Sequence, residues 1–149
     1  MRGVLLLLFL PACAPDLEGV DPLPAGNGYR DPPWVQHPDN PFTRDVGGHP
    51  DGSRYVYYND LSLFVSARSG DFASEGAVVV KEVYDEDDSL QYIAVMRRLP
   101  DHPDAERDDG WVYSISRDNG KTEQLSSVCK NCHVDTLSFG SLWVLPPEP

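Results

Sequence analysis

Ala77-Val78-Val79-Val80-Lys81-Glu82-Val83-Tyr84 is rich in β-branched residues and reads as a strand. The acidic stretch Asp85-Glu86-Asp87-Asp88 behind it makes a polar turn. Residues 90 to 98 then read as a second strand, with Leu90, Tyr92, Ala94 and Met96 on one face. A charged loop fills residues 100 to 109. The third strand runs from Trp111 to Ser116, with Trp111, Tyr113 and Ile115 on one face, and Asp118-Asn119-Gly120 supplies the turn that closes it. Upstream, Tyr55-Val56-Tyr57-Tyr58 is a short β-like run. Asn59-Asp60 offers a helix cap, Leu61, Phe64 and Val65 share one helical face, and Gly70 offers a stop. Residues 122 to 128 have room for one or two helical turns. The expected fold class is α+β, predominantly antiparallel β-sheet with short helices.

The chain has 149 residues, enough for one modest domain. At its start, Met1-Arg2 precedes the apolar run Val4-Leu5-Leu6-Leu7-Leu8-Phe9-Leu10, which is too short to span a bilayer. Leu10-Pro11-Ala12-Cys13 then looks like a bacterial lipoprotein signal, so residues 1–12 are read as a signal peptide and Cys13 as the lipidated residue. The plain alternative is a conventional signal cut elsewhere. Residues 13–45, with many Pro, Gly, Asp and Asn, are read as a tether that lifts a domain of residues 46–149 off a membrane. Trp34 and Phe42 are the exceptions, expected to pack onto the domain. The expected location is the periplasmic face of a bacterial membrane or the cell surface, with membrane contact only through the lipid anchor. Twelve basic against 24 acidic residues give a net charge of -12. That surface repels phosphate backbones and anionic membranes, which excludes nucleic-acid binding and leaves a basic redox partner open.

Cys129-Lys130-Asn131-Cys132-His133 is a complete C-x-x-C-H. Two thiols about one helical turn apart can add to the two vinyl groups of haem as thioethers, and the adjacent histidine then supplies an axial nitrogen to the iron. The reading is one covalent haem c per chain, held by Cys129 and Cys132, with His133 as the metal ligand. A disulfide or thioredoxin-like redox pair competes. So does zinc, which would need a further ligand; His49 and His102 are loose choices.

With these motifs in place, the sequence resembles the cytochrome P-460 family, which includes the β-sheet type of cytochrome c′. The resemblance runs from about Arg54 to His133. It is carried by Arg54-Tyr55-Val56-Tyr57 with the short helix ending near Gly70-Asp71-Phe72, by Gly76-Ala77-Val78-Val79-Val80-Lys81-Glu82, and by Met96-Arg97, Asp109-Gly110-Trp111 and a haem motif close to the C-terminus. It implies a five-coordinate haem c on a mostly antiparallel sheet. In the P-460 members a strand lysine is cross-linked to the ring, and Lys81 occupies what looks like the matching place. Those members oxidise hydroxylamine and pass electrons to another cytochrome; the cytochrome c′ relatives bind nitric oxide and lack the cross-link. Arg54 is similar to a family arginine near the open haem face. Relatives are often homodimers. The chain departs from the family after His133, where Val134-Asp135-Thr136-Leu137-Ser138-Phe139 is shorter than the usual segment. Asp135 is the candidate proton acceptor, against a plain role as a loop acid.

The resemblance thus names Lys81, Arg54 and Asp135 as catalytic candidates. Alone, Lys81 between Val79 and Val83 reads equally as a lysine snorkelling past a core. A free amine near the ring would need a lowered pKa, which desolvation provides. Met96 could close the sixth position and make an electron carrier, although its apolar strand favours core packing. Trp111 and Tyr113 are expected in the core or the haem wall, and Phe64 and Phe72 as walls of the open face or ordinary core. His37, His49 and His102 are expected to be solvated.

Overall fold

A computed structural model describes residues 17, 19–42, 52–105, 109–133, 142 and 144–148. Among them lies a six-stranded sheet of β1 (Val35–Gln36), β2 (Arg54–Tyr58), β3 (Val78–Tyr84), β4 (Leu90–Arg98), β5 (Trp111–Ser116) and β6 (Gln124–Leu125), ordered as in the chain. Every neighbouring pair is antiparallel. The architecture is therefore α+β with β dominant. The five residues between β3 and β4 and the seven between β5 and β6 are too few for a parallel crossover.

The register builds two faces. On one, Val56, Lys81, Ala94 and Ile115 form a row across β2 to β5, and Tyr58, Val79, Met96 and Tyr113 form the next. A third row carries Arg54, Val83 and Tyr92. The opposite face carries Tyr57, Val80 and Val95. Both faces are covered, which is why Val78-Val79-Val80 reads as a continuous apolar run rather than an alternation.

The first face packs on 3₁₀ turns over Leu61–Phe64 and Ser66–Ser69, where one regular helix was expected. Asp60 caps the first by accepting from the Ser62 amide at 2.9 Å, and Gly70 ends the second at φ 85°. The tighter winding buries Phe64 against Tyr58, with ring centroids 5.2 Å apart, and turns Val65 out to 55% exposure. After the short strand β6, the helix α1 spans Ser127–His133, so the helical turn expected over 122–128 starts later.

The second face shows what the tether reading missed. The segment 19–42 is anchored to the sheet at Leu23, Tyr29, Trp34 and the β1 pairing instead of hanging free. Leu23 is buried in the apolar cluster on this face and Tyr29 is fully buried there. Tyr29 packs edge-on to Tyr57 at 5.5 Å and to Trp34 at 6.1 Å. Its hydroxyl donates to Glu82 Oε1 at 2.7 Å, and Arg30 pairs with the same oxygen. Burying a ring of this size contributes about 2 kcal/mol, enough to offset the ordering of one or two residues. Trp34 and Phe42 pack onto the domain as expected.

Leu90 also differs. A bulge between Val83 and Tyr84 shifts the register so that Leu90 pairs with Tyr84, and its side chain joins the second face. His37, expected in solvent, is 8% exposed. Its Nδ1 accepts from the Asp39 amide at 3.1 Å, which leaves Nε2–H to donate to the Leu145 carbonyl at 3.2 Å. The His102 side chain is 9% exposed, and its Nδ1 accepts from the Asp104 amide. No helix among the described residues is long and apolar enough to cross a membrane.

Candidate functional site

The site forms where α1 lies over the first face. Ser126 fixes the entry: its amide donates to the Tyr113 carbonyl at 2.9 Å, and its Oγ accepts from the Cys129 amide at 3.4 Å. It thus tethers the helix to β5 and caps its first turn. At about 100° per residue, Cys129, Cys132 and His133 fall within an arc of about 100° on one side of the helix. His133 is buried, and its ring lies 5.3 Å from that of Tyr113, tilted by 45°. Tyr113 is itself held by Asp109, which accepts from its hydroxyl at 2.9 Å and from the Trp111 amide at the same distance. The imidazole therefore sits on a ring that cannot easily turn.

Cys129, Cys132 and His133 open onto a cavity of about 330 Å³. Its floor is the sheet face, with Val56, Val79, Ala94, Met96 and Ile115, and Leu142 and Val144 close it from the C-terminal side. Ala94 is the small residue in its row, and the space above it is what a longer side chain would fill. The C-terminal strap is pinned by Tyr58 Oη, which donates to the Val144 carbonyl at 3.2 Å, and by Arg68, which donates to that of Pro146 at 2.9 Å.

Lys81 lines this same cavity. Burial pushes its amine down from 10.5 to about 8, the neighbouring cysteines oppose that, and Arg54 adds to it. Tyr92 also lines the cavity, and burial raises its phenol above the ordinary value.

The structure thus brings Lys81 to the same cavity as Cys129, Cys132 and His133, from which it is far in sequence. Met96 is 8% exposed, belongs to the apolar cluster of this face and also lines the cavity. Arg54 is buried one row beyond Lys81 and is not a lining residue. Phe64 and Phe72 are not lining residues either: Phe64 is core, and Phe72 lies under the Arg98 guanidinium at 5.4 Å. Cys13, His49 and Asp135 lie outside the described residues. Tyr92, Arg117, Ser126 and Leu142 were not singled out from sequence, although Tyr92 was placed on the correct face by alternation and Arg117 continues the phase of Trp111, Tyr113 and Ile115.

The donor set fits a covalent haem. Both cysteines are free thiols, they share a helix face with a buried imidazole, and an apolar cavity stands before them. Two thiols and one imidazole are a ligand short of a closed zinc site. Among the described residues no three His, Cys, Asp or Glu side chains group closely enough to hold a metal ion. Compared with known proteins, the chain matches no family model and no curated sequence.

Proposed function

We propose that the chain is an exported c-type haem protein of the cytochrome P-460 kind, which oxidises hydroxylamine. The observation that carries this is the shared cavity: Lys81 of β3 and the Cys129-x-x-Cys132-His133 helix, about 50 residues apart, line one apolar space. When bound, the haem supplies an electron-accepting iron with an open coordination position.

The residues divide the remaining work. Cys129 and Cys132 would anchor the ring through thioethers and His133 would hold the iron, with its imidazole packed on Tyr113. Val56, Val79, Ala94 and Met96 keep bulk water out and leave space for a small, uncharged substrate. Lys81 presents an amine whose neutral form is reached near pH 8 and which tunes, or bonds to, the ring edge. Arg54 adds positive potential from the row behind it and steadies the bound nitrogen species. Asp135, two residues beyond His133, is the candidate proton acceptor. Electrons leave to a separate cytochrome, for which the charge of -12 favours a basic docking face.

A second reading is a nitric-oxide-binding protein like the β-sheet cytochrome c′. It is favoured by one observation: no carboxylate is among the described residues lining the cavity. The test is hydroxylamine-dependent reduction of an artificial acceptor by the haem-loaded chain. Turnover, with a broad and strongly red-shifted ferrous band that is lost in Lys81→Met, supports the first reading. An ordinary high-spin spectrum with nitric oxide binding and no turnover supports the second.

A further inference from the structure

The cavity is chemically lopsided along the strands. α1 is fastened at the level of Tyr113, where Ser126 bonds to β5 and His133 packs on the ring. Arg117 also lines the cavity, four residues further along the chain from Tyr113, or about 13 Å at the rise of a strand. Extending the Ile93–Ser116 pair outward by one sets Arg117 beside Tyr92, which completes the row of Arg54, Val83 and Tyr92. Tyr92 lies within electrostatic reach of both thiols and of Arg117, so it joins the helix side of the cavity to the guanidinium.

Arg117 is exposed, and no acid lies among the described lining residues. The adjacent carboxylate, Asp118, is engaged in its own turn, where it accepts from Ser116 Oγ at 2.8 Å, Lys121 N at 3.1 Å, Thr122 N at 2.9 Å and Thr122 Oγ1 at 2.7 Å. In a chain with twice as many acids as bases, a cationic cavity mouth is an exception to the surface around it.

A haem carries its vinyl groups on one edge and its two propionates on the opposite one. Thioethers at Cys129 and Cys132 would leave the propionates as the free edge of the ring. We infer that Arg117, beside Tyr92, receives the propionate carboxylates and so fixes the ring at its far edge. The guanidinium fork matches a carboxylate through two parallel N–H bonds, which a lysine ammonium does not reproduce. The inference rests on the covalent-haem reading and assigns it a second, non-covalent anchor.

The test compares the full haem-loaded chain with Arg117→Gln, Arg117→Lys and Tyr92→Phe. The readouts are covalent haem per chain, midpoint potential against pH, and the propionate bending band in resonance Raman spectra. Arg117→Gln should keep its covalent haem, lower the potential, make it more strongly pH-dependent and shift the propionate band. Arg117→Lys should preserve most of the potential yet shift the band, because it keeps the charge and loses the fork. Tyr92→Phe should shift the band less than Arg117→Gln. A haem-loaded Arg117→Gln with unchanged potential, pH profile and band overturns the inference. So does an effect confined to the affinity for added nitrite, which would assign Arg117 to a free anion. An unmodified chain that takes up no covalent haem removes the parent reading and this inference together, and is told apart by the haem content alone.

Discussion

Lys81→Met replaces a charged side chain in the cavity with an apolar one of similar length, and the structure sets the size of the effect. Burial lowers the Lys81 amine from 10.5 to about 8. At 1.36 kcal/mol per pKa unit, keeping that amine charged costs the folded chain about 3 kcal/mol. Below pH 8 the lysine is protonated in both folded and unfolded states, so the full cost is present. Between about pH 8 and 10.5 the unfolded chain binds more protons than the folded one, and wild-type stability rises with pH. Above that range both states are neutral and the cost vanishes. Lys81→Met should therefore be more stable than wild type by about 2–3 kcal/mol at pH 7, with the advantage shrinking toward zero near pH 10.5. The assay is urea unfolding of the full chain made without haem-maturation machinery, with both proteins measured at each pH. Taking their difference cancels the tyrosines, whose raised values also bend each curve. An advantage that is absent at pH 7, or that does not change with pH, would refute the claim that Lys81 is desolvated in the cavity.

Two further outcomes follow from the packing. Ala94→Leu extends a side chain into the cavity space between Lys81 and Ile115; the variant should fold, because it fills open space, but covalent haem per chain, measured by absorbance of the alkaline pyridine complex, should fall several-fold. Glu123→Ala removes the partner of Arg97, which is 5% exposed and held by two bonds of 2.5 and 2.7 Å. It should cost about 3–5 kcal/mol in urea unfolding, because it leaves a buried charge uncompensated.

The central strands were legible because their chemistry is local. Val78 to Tyr84 is β-branched, Trp111 to Ser116 alternates, and polar turns separate the strands. Leu90 was assigned to the wrong face because alternation is blind to a bulge, and one extra residue flips every side chain beyond it. The segment 19–42 was read as a tether because proline and glycine dominate its composition, while its attachment depends on long-range partners: Tyr29 and Arg30 find Glu82 more than 50 residues away. The same reason hid the burial of His37, whose partner is the Leu145 carbonyl. At the site, the haem motif was legible because five consecutive residues carry it. Lys81 was legible only through a family resemblance, since an isolated strand lysine has no local signature. Arg117 was missed because the alternation was followed only to Ser116, where the strand ends, and one step further sets it on the cavity face.

The central claim is that Cys129 and Cys132 bind haem covalently with His133 as its axial ligand. The most direct measurement is the mass of tryptic peptides from the full chain, expressed for export alongside c-type haem-maturation machinery. The account expects the peptide containing Cys129 to His133 to carry one iron porphyrin through two thioethers, and Cys132→Ala to lose one of those bonds. A peptide recovered without porphyrin, as free thiols or as a Cys129–Cys132 disulfide, would contradict it.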